Sequence, residues 1–204
     1  MAITQTHSRM VSDVDAGSTY LQGTLGTAAN NVVQLTAAAK LPAVDGSLLT
    51  NVSDNGKILQ VVNATLSTLD TITTIMPNDN TIPQNTEGEE VLTATITPAN
   101  ASNKLLIEVN VVIGGDAALW VVSALFQDST ANALAANANY CPAAGGACAV
   151  PLTHYMAAGT TSATTFKLRA GQQSSGTATI NGNGGSQTLG GVASTTLTIT
   201  EIAS

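Results

Sequence analysis

Aromatic side chains are scarce in this sequence: one tryptophan, three tyrosines and two phenylalanines, 3% of 204 residues. Charged residues make up only 9%, against about 25% in ordinary soluble domains. Enzymes work through convergent titratable groups, and this chain has few. It is therefore expected not to be an enzyme, with no catalytic residue, no cofactor and no bound metal. The basic residues Arg9, Lys40, Lys57, Lys104, Lys167 and Arg169 are scattered, and the net charge is −7. Without a basic stripe to neutralise phosphates, neither nucleic-acid binding nor docking on an anionic membrane surface is expected. No apolar run reaches the roughly 18 residues needed to span a bilayer. The N-terminal stretch MAITQTHSRMVSDVDAGS lacks the apolar segment of a secretory signal, so synthesis in a cytoplasm is expected.

Cysteine and histidine are almost absent too. Cys141 and Cys148 flank the loop PAAGGA, and two cysteines are too few for a disulfide framework. Gly145 and Gly146 would let the pair close a bridge in oxidising surroundings. The alternative is two small apolar residues beside a surface loop. A zinc site would need two more ligands, and His154 is the only neighbour in sequence that could serve. A Ser–His–Asp triad would also have to use His154, and no GxSxG motif is present.

The missing charge is replaced by Thr, Ser, Asn, Gly and Ala, which suit strands and turns better than helices. Residues 1–55 hold few large apolar side chains, chiefly Val32, Val33, Leu35, Leu41, Val44, Leu48, Leu49 and Val52. A segment of this size cannot bury a core alone. It is expected to gain order as an extended attachment arm and three-fold neck, packing Val32, Val33, Leu35, Leu41, Leu48 and Leu49 against copies of itself or a partner. Pro42 fixes φ and holds Leu41 extended, and Asp45-Gly46 supplies a turn.

Residues 56–204 read as strands. The clearest is 104–113, where Leu105, Ile107, Val109, Val111 and Ile113 share one face at period two. Further strands are expected over 57–62, 71–75, 91–97, 119–128, 152–157, 164–170, 177–180 and 194–202. Phe166 and Leu168 point inward with Lys167 and Arg169 outward. Leu197 and Ile199 point inward with Thr196, Thr198 and Thr200 outward. Residues 131–138 fit a helical turn or a loop. The fold class is therefore all-β: an extended N-terminal arm and neck, then an antiparallel jelly-roll-like β-sandwich, homotrimeric as a whole.

Few groups could carry chemistry. Glu87, Glu89 and Glu90 cluster in the turn-rich stretch NDNTIPQNTEGEE; they could act as paired carboxylates only on a rigid frame, and a solvated acidic turn is the simpler reading. Asp13 and Asp15 resemble the start of a calcium loop, but its twelfth position is Thr24. Trp120, the single tryptophan, lies in an apolar strand and is expected in the core or at a subunit interface. A binding surface is expected in the loops of residues 137–149 and 181–191.

Two stretches carry a family resemblance. Residues 26–52, with Asn31, Val33, Leu35 and the run Lys40-Leu41-Pro42-Ala43-Val44-Asp45-Gly46-Ser47, resemble the neck of bacteriophage tail fibres. Residues 56–204, opening with Gly56-Lys57-Ile58-Leu59-Gln60-Val61 and closing with Thr196-Leu197-Thr198-Ile199-Thr200-Glu201-Ile202, resemble a β-sandwich at the distal ends of phage fibres. The resemblance implies a structural virion protein on the particle surface. It would be a homotrimeric tail or head fibre presenting the sandwich for host-surface binding, or else a capsid decoration protein stabilising the shell as trimers. Its partners would be copies of itself, other virion proteins and a host glycan or receptor.

Overall fold

The computed structural model describes residues 56–204. The arm and neck residues Val32, Val33, Leu35, Leu41, Leu48 and Leu49 lie outside the described residues. The strands run β1 Ile58–Leu66, β2 Asp70–Ile72, β3 Glu89–Ile96, β4 Lys104–Asn110, β5 Val112–Gly114, β6 Leu119–Gln127 and β7 Ala135–Cys141. They continue as β8 Ala147–Ala149, β9 Leu152–Ala157, β10 Thr164–Gln172, β11 Ala178–Ile180, β12 Gly182–Asn183, β13 Ser186–Gln187 and β14 Thr195–Ile202. Every pairing between them is antiparallel. The all-β sandwich expected from the sequence is the observed architecture.

One sheet has the order β1-β14-β4-β9 and faces a second of order β3-β10-β6-β7. A third, β2-β11-β5-β8, prolongs the first: β2 follows β1, β5 follows β4, β8 precedes β9, and β11 takes the place of β14. That exchange splits the expected strand 104–113 at Val111. Its pairing with β14 ends at Asn110 opposite Thr196, and its pairing with β11 begins at Ile113 opposite Ile180. All five predicted core residues of this stretch are nonetheless buried. Period two thus survives the change of neighbour, because the side chains still alternate across one pleated surface.

Between the sheets, Leu105, Ile107, Leu197 and Ile199 from the first pack with Leu125, Phe166, Leu168 and Ile96 from the second. The aromatic poverty of the chain makes this an aliphatic core, with β-branched residues filling a pleated interface. A smaller apolar cluster lies on the other side of the second sheet, where Met76 covers Val122, Ala124 and Phe126. Met76 belongs to the connection 73–88, which straps across that face. Its backbone is tied by Met76 N–H to Gln172 O at 3.0 Å, Ala133 N–H to Pro83 O at 2.9 Å and Asn85 N–H to Ala131 O at 2.8 Å. Gly171 makes this passage possible: a Cβ there would stand 2.6 Å from Thr74 O and 2.9 Å from Met76 Cβ.

Residues 135–141 form a strand, which corrects the helical-turn or loop expectation for 131–138. The stretch Ala135-Ala136-Asn137-Ala138-Asn139 has low strand propensity, but tertiary contacts override it. Its backbone pairs with β6, and its asparagines reach the link between β8 and β9: Asn137 Nδ2 donates to Pro151 O at 2.6 Å and Asn139 Nδ2 to Ala149 O at 3.1 Å. Ser123 Oγ donates to Val150 O at 2.8 Å alongside them.

Candidate interaction surfaces

The outer face of the first sheet follows from its register. Ile58 pairs with Ile202, which pairs with Lys104, opposite Ala157; Val61 pairs with Thr200, then Leu106, then Tyr155. The next row is Asn63, Thr198, Glu108 and Thr153. A bulge between Ile58 and Gln60 adds Leu59 at the edge. In the middle of the face β14 presents Thr198 and Thr200 and β4 presents Lys104, Leu106 and Glu108, while apolar groups stand at both edges. Ile58, Val61 and Tyr155 are 60%, 55% and 58% exposed. Strands in a sheet lie about 4.8 Å apart, so the β1 cluster and Tyr155 on β9 are separated by roughly 14 Å. The charged residues in these rows are Lys104 and Glu108.

One inward position of that sheet is a carboxylate. Glu201 is fully buried. Its Oε2 accepts from Gln60 Nε2 at 2.5 Å, and its Oε1 accepts from Ala99 N–H at 2.8 Å and Asn103 Nδ2 at 2.6 Å. Burial alone pushes its pKa up, but the donors from Asn103, Gln60, Ala99 and Asn100 outweigh that and hold it below the usual carboxylate value. The carboxylate thereby fastens the connection 97–103, which crosses from the second sheet to the first. Glu201 is a structural clasp, and the sequence reading did not single it out.

The acidic cluster of the strap does not converge. Glu87 Oε2 accepts from Gln84 N–H at 2.9 Å, and Glu89 Oε2 from Thr73 N–H at 3.3 Å. Glu90 Oε1 accepts from Thr93 Oγ1 at 2.8 Å, and its Oε2 lies 3.2 Å from Lys167 Nζ. The Thr93 hydroxyl, then the Lys167 contacts and the Arg169 charge, lower the Glu90 pKa against a burial cost. Arg169 holds the strap itself, donating from Nε to Glu87 O at 2.8 Å and from Nη2 to Gly88 O at 2.7 Å. Each carboxylate is occupied by its own separate partner. His154 lies on β9 opposite Ile107, directed toward the interior. Among the described residues no three His, Cys, Asp or Glu side chains gather to hold a metal.

Trp120 is in neither core cluster, contrary to the core placement weighed from sequence. It stands half-exposed on the outer face of the second sheet, opposite Tyr140 on β7, with ring centroids 5.6 Å apart in an edge-to-face arrangement. Its strand is apolar on both faces because the strap buries Val122, Ala124 and Phe126, and Trp120 lies beyond that cover.

The two loops expected to form a binding surface do meet. A Cβ at Gly145 would lie 3.9 Å from Gly184, so the loop 142–146 and the β12–β13 hairpin stand side by side. Beyond the hairpin, Leu189 and Val192 are 76% and 81% exposed, and Leu189 has φ of 52°. A bulky side chain in the left-handed region is strained, and such strain concentrates at working surfaces. At the base of this end lie the two cysteines, both free thiols. Cys141 Sγ donates to Ile113 O at 3.8 Å, Cys148 is the cross-strand partner of Ile113, and Cys148 Sγ donates to Tyr140 O at 3.6 Å.

Comparison with known proteins gives this surface its family setting. Residues 47–204 match the family Chlam_vir, the Pgp3 C-terminal domain. The chain belongs to the Pgp3 C-terminal domain family. Pgp3 is a protein of a Chlamydia virulence plasmid. This overturns the expectation of a bacteriophage virion protein. The tail-fibre, head-fibre and capsid-decoration readings, with their virion localisation and host-adsorption role, are withdrawn. The physical reason is that strings such as KILQV and TLTITEI are what any antiparallel sandwich uses for an opening edge and a closing central strand. They carry fold and not lineage.

No curated protein matches the chain. Among solved structures, murine APRIL at pH 5.0 is 12% identical with a TM-score of 0.39, over 70% of this chain and 98% of that one. The VP2 subviral particle of infectious bursal disease virus is 13% identical with a TM-score of 0.29, over 74% and 38%. The enzymatically active domain of bacteriophage CBA120 tailspike protein 4 is 15% identical with a TM-score of 0.26, over 59% and 18%. At these identities and scores the likenesses say nothing of activity or partners.

Proposed function

We propose that this Pgp3 C-terminal-type domain works by assembly and binding without catalysis, as a homotrimer built on the outer face of the β1-β14-β4-β9 sheet. The observation that carries this reading is the placing of the apolar groups. Ile58, Leu59 and Val61 lie at one edge of the face and Tyr155 at the other. Two unlike patches on opposite edges suit a head-to-tail contact, in which the β1 edge of one copy meets the β9 side of the next. A two-fold contact would need one patch that matches itself, so three is the smallest ring this arrangement closes. Between the patches lie the uncharged threonines of β14 and Leu106, with one charge of each sign, Lys104 and Glu108, on β4. Assembly would leave the loop end, with Gly145, Gly184, Leu189 and Val192, as the surface offered to a macromolecular partner.

Charge reversal at the edges tests the proposal. Val61→Lys and Tyr155→Glu each place an unpaired charge in the contact, and each is exposed in the single chain, so folding should be kept. The expected result is a fall in native mass by light scattering, with an unchanged circular dichroism spectrum. Full native mass retained in both variants would overturn the assignment of this face.

A further inference from the structure

We infer that Cys148 and Cys141 form a dithiol site that is oxidised by small-molecule disulfides, with Cys148 as the attacking thiol and Cys141 as the resolving one. The pairing rests on position. Cys141 ends β7 and Cys148 is the middle residue of β8. Cys141 Sγ contacts Ile113 O at 3.8 Å, and Ile113 faces Cys148 across the β5–β8 ladder. Cys148 Sγ contacts the carbonyl of Tyr140, the residue before Cys141, at 3.6 Å. Cys148 Sγ therefore sits at the peptide that enters Cys141, Cys141 Sγ sits at the carbonyl of the residue paired with Cys148, and the two side chains are within hydrogen-bonding reach of each other.

Exposure sets the order of the steps. Cys148 is half-buried at the base of an open loop, whereas Cys141 is fully buried. Burial, then the hydrogen bond and charge of Cys148, push the Cys141 thiol up to about 12, against a lowering contact from Gly115 N–H. Thiolates are the nucleophiles of disulfide exchange, so Cys148 begins. Its thiolate attacks one sulfur of a disulfide R–S–S–R, forming Cys148–S–S–R and releasing RS⁻. Cys141 then loses its proton to solvent and attacks the Cys148 sulfur. The intramolecular disulfide forms and the second RS⁻ leaves. Two protein thiols give up two protons and two electrons, and one R–S–S–R becomes two R–SH. The intervening Gly145 and Gly146, with Gly145 at φ of 74°, give the loop between the two cysteines backbone freedom for closing the ring.

Disulfide formation removes freedom from the unfolded chain, so the oxidised protein should melt about 5–10 °C higher. The test uses the full chain with glutathione disulfide, quenched in acid and weighed intact. The expected product is a single chain lighter by two hydrogen atoms, with no glutathione attached, which dithiothreitol returns to the starting mass. Cys141→Ser should instead keep one glutathione on Cys148, and Cys148→Ser should leave Cys141 unreacted under the same conditions. A lasting glutathione adduct on the wild-type chain, an intermolecular dimer or two unchanged thiols would each overturn the inference. The wild-type mass decides the matter alone if Cys141→Ser does not fold.

Discussion

Removing the buried Glu201 carboxylate should be among the most damaging single changes to this domain. In Glu201→Ala, Asn103 Nδ2 and Ala99 N–H both lose their acceptor, whereas Gln60 Nε2 keeps Thr97 O at 2.8 Å. The stranded buried Asn103 amide costs about 1–3 kcal/mol and the part-buried Ala99 N–H less, giving a loss of roughly 2–4 kcal/mol. That is a large share of the roughly 5–15 kcal/mol that holds a domain together. Glu201→Gln is the sharper probe because it keeps the shape. Its amide oxygen can serve Asn103 and Ala99, but its NH2 then confronts Gln60 Nε2. Turning the Gln60 amide would relieve that at the expense of Thr97 O, so about 2 kcal/mol is expected. The pH dependence has a definite sign. The folded pKa lies below the unfolded one. The contribution is therefore complete above the ordinary carboxylate value and is lost as pH falls through the lower, folded value. Urea unfolding of wild type and Glu201→Gln at neutral and acid pH measures this. The gap in midpoint should be wide at pH 7 and close as the medium is acidified. A variant as stable as wild type at pH 7, or a gap indifferent to pH, would refute the assignment of Glu201 as an ionised clasp.

Two further changes probe the strap over the second sheet. Gly171→Ala should destabilise by about 1–3 kcal/mol in urea titration, because its Cβ would meet Thr74 O at 2.6 Å and must displace backbone. Arg169→Met should cost about 1–3 kcal/mol through loss of its bonds to Glu87 O and Gly88 O, and hydrogen exchange should rise over 84–88 more than over β6. Glu90→Gln, by contrast, should cost no more than about 1 kcal/mol, since its pair with Lys167 is part-exposed.

The sheets were legible in the sequence wherever alternation was strict. Phe166 and Leu168, like Leu197 and Ile199, face inward as the pattern requires, and Lys167 faces outward. The same alternation places Glu201 inward, two residues after Ile199. Its role stayed hidden because its partners Gln60, Ala99 and Asn103 come from distant stretches, and only the fold brings them together. β7 was missed because its alanines and asparagines carry no strand preference, and its order comes from β6 and the β8–β9 link. The core placement weighed for Trp120 fails because the strap makes β6 apolar on both sides, which erases the alternation that would have shown its outward face. The two loops were foreseeable as glycine-rich turns, but their contact at Gly145 and Gly184 was not. Lineage was the least legible feature, since residues chosen for pleat and turn look alike in unrelated sandwiches.

The native mass of the unmodified chain tests self-assembly most directly. Multi-angle light scattering across a hundredfold range of concentration should give about three times the chain mass of 20.5 kDa. A mass that stays at that of one chain, or settles at two, would contradict a ring closed through the opposite edges of the first sheet.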